Sequence, residues 1–128
     1  MNKLLRRGVV AILINSSNQI LLCKNSKTGS WQFPQGGIDD GEIPFSALTR
    51  ELMEEIGVDI CNDTVTQLSQ TGYIAYLLPK HFLDTKPEKF IGCVGQKQKY
   101  FLLLWDGELS DLNFSIAGEF SEAKWVDL

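Results

Sequence analysis

Between Gly36 and Val58 the chain reads GGIDDGEIPFSALTRELMEEIGV, a 23-residue stretch that holds four glutamates and one arginine. Glu51, Glu54 and Glu55 fall close together, with Arg50 beside them and Glu42 eight residues upstream of it. Carboxylates three and four apart on one helical face repel each other. A solvated acidic face is the plain account of such a run, but it leaves the arginine, the glycines and Glu42 unexplained. Divalent cations would supply the missing positive charge. Hard oxygen ligands of this kind suit Mg²⁺ or Mn²⁺, which keep several waters and bind substrate phosphates alongside the protein.

Such a cluster needs a helix to hold it. Pro44 suits an early helical position, because its missing N–H would have had no partner there. Gly57 stands where a left-handed cap would end the helix. At about 100° per residue, Phe45, Leu48, Leu52 and Ile56 share one side and should face a core. Strands must flank that helix. VVAILI is an apolar run of strand length, NSSNQ a turn and ILLCK a second strand, so residues 9–24 read as a hairpin. After the helix, VDICNDTV reads as loop or short edge, and TQLSQTGYIAYLLP as strand interrupted at Gly72. KHFLDTKPEKFIG reads as an irregular loop, QKYFLLLWDG as the strongest strand, and SDLNFSIAGEFSE as loop. AKWVDL is a final short strand.

The pattern Gly36, five residues, Glu42, seven residues, then Arg50-Glu51-Leu52-x-Glu54-Glu55-x-Gly57-Val58 resembles the Nudix box at every defining position. The flanks SWQFPQGGI, GYIAYLLP and GQKQKYFLL resemble the branch of bacterial RNA pyrophosphohydrolases and diadenosine tetraphosphate hydrolases. The resemblance implies an α/β fold, the Nudix α/β/α sandwich with a mixed β-sheet, in a single domain over residues 1–128. Relatives continue into a C-terminal helix, whereas this chain stops at Leu128. That helix is expected to be missing or truncated, leaving apolar sheet exposed and the choice between monomer and dimer open.

By the same resemblance, Glu51, Glu54, Glu55 and Glu119 hold Mg²⁺, or Mn²⁺ or another divalent cation, and Arg50 holds a glutamate in place, at i, i+4 from Glu54. Glu119 is the favoured general base and Glu51 the other candidate. Glu42 either fixes the turn into the helix or binds a peripheral metal. The implied activity is Mg²⁺-dependent removal of pyrophosphate from 5′-triphosphorylated RNA. The alternative is asymmetric cleavage of diadenosine tetraphosphate into ATP and AMP. A non-catalytic binding module is disfavoured, because degenerate relatives lose box glutamates that this chain keeps.

For the substrate, the expected contacts are Arg6, Lys24, Gln35, Tyr76, Lys97, Gln98 and Lys99, since cations neutralise phosphate and aromatic rings stack on bases. Alternation along a strand puts Lys97 and Lys99 on one side and Gln96 and Gln98 on the other, so not all of them can face one pocket. His81, the single histidine, reads as a loop residue.

Composition bounds the rest. A chain of 128 residues, 44% hydrophobic and 22% charged, suits one globular domain. Twelve basic against sixteen acidic residues give −4, which argues against duplex DNA as partner. Residues 80–99 nonetheless carry five lysines against two acids, which favours RNA. Cys23, Cys61 and Cys93 form no CxxC pair, and no apolar stretch is long enough to span a membrane. A cytoplasmic enzyme with reduced thiols is the expectation.

Overall fold

In the computed structural model, which describes residues 4–62, 64–79 and 93–128, the apolar run after Arg7 becomes the middle of a mixed seven-stranded sheet. β1 (Leu4–Ile14) lies parallel to β6 (Cys93–Trp105) along nearly its whole length, and β5 (Val65–Leu77) pairs antiparallel with β6 at the edge. On the other side β1 meets the three-residue β4 (Gln35–Gly37) at Gly8, Val9 and Val10. β2 (Gln19–Asn25) pairs with β3 (Trp31–Gln32) and, at greater length, with β7 (Phe120–Asp127).

The hairpin expected over 9–24 is therefore only a corner. Asn15 and Gln19 close the turn with Asn18 left-handed (φ 59°), but β1 and β2 pair only at Ile14 and Ile20. Farther along, Pro34 accepts a hydrogen bond from Ala11 N–H (2.8 Å) and β4 occupies the edge of β1 that β2 would need. β2 instead finds its long partner a hundred residues away.

One helix, α1 (Pro44–Ile56), packs on the sheet face formed by Val9, Ala11, Leu13, Leu21, Phe101 and Leu103. Ala47, Leu48, Leu52 and Ile56 are buried there, each large side chain contributing about 1.5–3 kcal/mol. Phe45, expected in this stripe, is 40% exposed, because the first turn of α1 precedes the buried stretch. Pro44 begins the helix and Gly57 ends it in the left-handed region (φ 73°), as the sequence predicts. On the opposite sheet face Ile12, Ile14, Ile20, Leu22, Leu102, Leu104 and Val126 are partly exposed, and no helix among the described residues covers them. No helix among these residues is long and apolar enough to cross a membrane. His81 and the lysines at 80, 86 and 89 lie outside the described residues.

Candidate active site

Arg50 is the hub of the acidic cluster. Its Nε and Nη2 donate to both oxygens of Glu42 (3.0 and 2.9 Å), Nη1 donates to Glu51 Oε1 (2.8 Å), and Nη2 also reaches the Gly37 carbonyl (2.9 Å). The i, i+4 partner Glu54 is a looser contact at 3.6 Å. Glu42 in turn accepts from Asp39 N–H (3.0 Å), so its carboxylate ties the turn to the helix. The forked, charge-assisted pairing with Arg50, then the Asp39 bond, holds the Glu42 carboxyl down at about 2.

Glu55 is the opposite case. It is 1% exposed, and neither carboxylate oxygen has a hydrogen-bond partner among the described residues. Burial first, then the charges of Glu119 and Glu51, push its carboxyl far above the usual carboxylate range. The neighbouring Cys23 thiol is pushed up to about 12 by burial and by Glu55, so it stays neutral.

Glu119 comes from a segment anchored to the helix end. Asn113 N–H donates to the Ile56 carbonyl (2.9 Å) and Ala117 N–H to the Glu54 carbonyl (3.1 Å), satisfying two carbonyls that α1 leaves open. Ser26 then holds the next residues: its N–H donates to the Glu119 carbonyl (2.9 Å), and its hydroxyl to the carbonyls of Gly118 (2.8 Å) and Glu119 (2.9 Å). This anchoring fixes the register, so Glu119 reaches the site while Glu122 pairs with Lys24 (3.3 Å) outside it.

A cavity of 260 Å³ opens over this cluster, lined by Arg6, Gln32, Gln35, Gly36, Gly37, Glu51, Gln96, Gln98 and Glu119. Its two glycines let two charged side chains lie close against the strand. A Cβ on Gly36 would overlap the Glu51 carboxylate, and one on Gly37 would overlap the Arg6 guanidinium. Gln98 is buried and fully engaged: Nε2 donates to Gln35 Oε1 (3.0 Å), and Oε1 accepts from Tyr76 Oη (3.2 Å). Tyr76 Oη also accepts from Gln96 Nε2 (2.9 Å), and burial, then Tyr100, raises the phenol.

The structure thus brings Arg50, Glu51, Glu55, Glu119, Arg6, Gln35, Gln98 and Tyr76 to one locality, with Glu54 at its more exposed side. It does not bring Lys24, Lys97 or Lys99 there. Lys24 points to the opposite face of β2 from Cys23 and pairs with Glu122. Lys97 and Lys99 alternate with the cavity-lining Gln96 and Gln98, so their side chains leave the other face of β6. Gln96 and Gln32 were missed as site residues. For Gln96 the signal was its two-residue spacing from Gln98, whereas Gln32 reaches the cavity through pairing of β3 with β2, which no local spacing encodes.

The donors present fit a divalent cation. A buried carboxylate without a partner is unfavourable, and either a proton or a cation relieves it. Glu51, Glu55 and Glu119 offer only hard oxygens, as Mg²⁺ or Mn²⁺ requires. In the arrangement described, no three such groups among the described residues close on one point, and Glu51 is held by Arg50 instead.

The NUDIX domain profile matches residues 4–128. An RNA pyrophosphohydrolase of Aeromonas hydrophila is 42% identical over 126 residues, which cover 94% of this chain and 69% of that protein. Another from Aliivibrio fischeri is 42% identical, over 94% of this chain and 71% of that one. The fold is shared with E. coli dihydroneopterin triphosphate pyrophosphohydrolase (TM-score 0.76, 18% identity, covering 98% of this chain and 84% of that one). A C. elegans Ap4A hydrolase also shares it (TM-score 0.70, 19% identity, 96% and 80%).

Proposed function

The chain belongs to the NUDIX family of hydrolases, and we propose that it removes pyrophosphate from the 5′ end of triphosphorylated RNA, leaving a 5′-monophosphate. The observation that carries this reading is the cavity itself, with Glu51 and Glu119 on one wall and Arg6 and the glutamine amides on another. Its two chemistries match the two components of a metal polyphosphate, and the RNA pyrophosphohydrolases at 42% identity supply the substrate class. Residues 1–128 act as one domain in this reading, and the enzyme works in the cytoplasm.

Mg²⁺, or Mn²⁺ in its place, is assigned to Glu51, Glu54, Glu55 and Glu119; bound there it would offset phosphate charge and make water easier to deprotonate. Arg6 holds the phosphates by charge-assisted hydrogen bonds. Gln35, Gln98 and Tyr76 form a linked set of hydrogen bonds that fixes this wall, so it need not reorganise as charge moves. Glu119 takes the proton from the attacking water at its carboxylate. Glu51 is the weaker candidate for that role, because Arg50 donates directly to its Oε1 and so occupies that oxygen. Arg50 positions Glu51 and joins it to Glu42.

The test is a product assay in Mg²⁺ with 5′-triphosphorylated RNA and diadenosine tetraphosphate at matched concentration. Pyrophosphate released chiefly from RNA, leaving a 5′-monophosphate end, is expected. Much faster formation of ATP and AMP would transfer the activity to dinucleotides, and no turnover of either would leave a binding module.

A further inference from the structure

On the helix-side face of the sheet, beyond α1, lies a cationic group that the site above does not use. Arg7 and Lys97 are direct partners in the β1–β6 ladder, Lys99 follows two residues on, and Tyr73 of β5 is the partner of Lys99. Alternation puts all four on the face opposite the cavity-lining Arg6, Gln96 and Gln98. Lys97 Nζ lies 5.0 Å and Lys99 Nζ 5.8 Å from the centre of the Tyr73 ring, which is 38% exposed. Among the described residues, Lys24 and Arg50 have carboxylate partners, but Arg7, Lys97 and Lys99 have none.

Like charges directly opposite one another across a ladder are destabilising. Arg7 and Lys97 face one another in just this way, and no carboxylate among the described residues offsets them. We propose that this patch binds the sugar-phosphate backbone and one base of the single-stranded RNA downstream of the hydrolysed 5′ end. The inference rests on the RNA reading of the active site. Lysines two apart on a strand recur at about 6.7 Å and offer successive charges to an extended polyanion. The part of the Tyr73 ring left exposed beside the two ammonium groups offers a base a stacking surface, the combination that single-stranded nucleic acids use. Arg6 and Arg7 are adjacent in sequence but face opposite ways, so an RNA leaving the cavity passes around the β1–β6 end to reach the patch. Only a substrate longer than the few nucleotides at the reacting end can touch both.

The experiment compares wild type, Lys97→Ala with Lys99→Ala, Lys97→Arg with Lys99→Arg, and Tyr73→Leu. Binding of a labelled 5′-hydroxyl RNA of about 12 nucleotides is read by fluorescence anisotropy at low salt in chelator, where no turnover occurs. The alanine pair should weaken binding at least about tenfold and lower the salt slope by roughly 2. The arginine pair should bind as wild type, which excludes misfolding as the cause, and Tyr73→Leu should weaken RNA but not polyglutamate. In turnover, the alanine pair should lower kcat/KM on a long triphosphorylated RNA but not on a triphosphorylated dinucleotide. Wild-type RNA affinity in the alanine pair, no binding by wild type, or equal losses on long and short substrates would each overturn the proposal. So would a Tyr73→Leu loss on polyglutamate equal to that on RNA, which would make the patch an acidic-peptide surface. Failure of the RNA reading itself would appear separately, as a wild type that releases no pyrophosphate from triphosphorylated RNA.

Discussion

Two carboxylates thirteen residues apart in the same box respond to pH in opposite senses. Glu42, held down by Arg50, contributes stability that is present above its unfolded pKa and is lost as pH falls toward about 2. Glu42→Gln should therefore flatten the acid limb of a melting-temperature profile between about pH 4.5 and 2 while leaving the neutral range less affected. Glu55 is shifted upward, so in chelator its contribution is present below its unfolded pKa and declines as pH rises above it. Glu55→Gln should raise the melting temperature of the metal-free protein at pH 8 more than at pH 5, yet abolish turnover in Mg²⁺. Equal shifts at both pH values would mean that the buried carboxyl is not strained. Glu119→Gln should cost about a hundredfold or more in kcat and remove an ionisation from the pH–rate profile; an unaltered profile would pass the role of base to Glu51. The acidic residues themselves were legible in the sequence, because their spacing is local. Their contrasting environments were not, since part of what raises Glu55 is the charge of Glu119, which lies sixty-four positions away.

At the scale of elements, α1 was legible at both ends because Pro44 and Gly57 encode its limits within a few residues of where they act. Gly57→Ala should cost about 1–3 kcal/mol: the left-handed backbone disfavours any Cβ, and this one would sit 2.9 Å from Asn113 Cβ. Denaturant unfolding would measure it, and a change under 0.5 kcal/mol, typical of an inert surface site, would contradict the geometry. Strand pairing was less legible. The β1–β6 ladder joins segments almost ninety residues apart, and β4, only three residues long, has too few positions to show a period. Those two features turned the expected hairpin into a corner. They also decide which of Gln96, Lys97, Gln98 and Lys99 face the cavity.

For the whole molecule, the cation binding proposed at the acidic cluster would be linked to folding. A cation present at 100 times its dissociation constant should raise stability by about 2.7 kcal/mol, provided that the unfolded chain does not bind it. Melting in Mg²⁺ and then in chelator would read this directly, and Glu55→Gln should abolish most of the difference. Indifference of the wild type to Mg²⁺ would remove the cation from the site. Family membership was readable because the box is one continuous stretch, whereas the shape of the cavity required strands from both halves of the chain.

The two glycines of β4 have a further consequence. Glu51 comes up against Gly36 from the helix side of the strand, and Arg6 against Gly37 from the other. The strand thus holds the Glu51 carboxylate and the Arg6 guanidinium apart, although both line the one cavity. In the proposed reaction, a metal polyphosphate would then meet the carboxylate of Glu51 and the guanidinium of Arg6 as two separate ends of one cavity, and its orientation would follow from that separation.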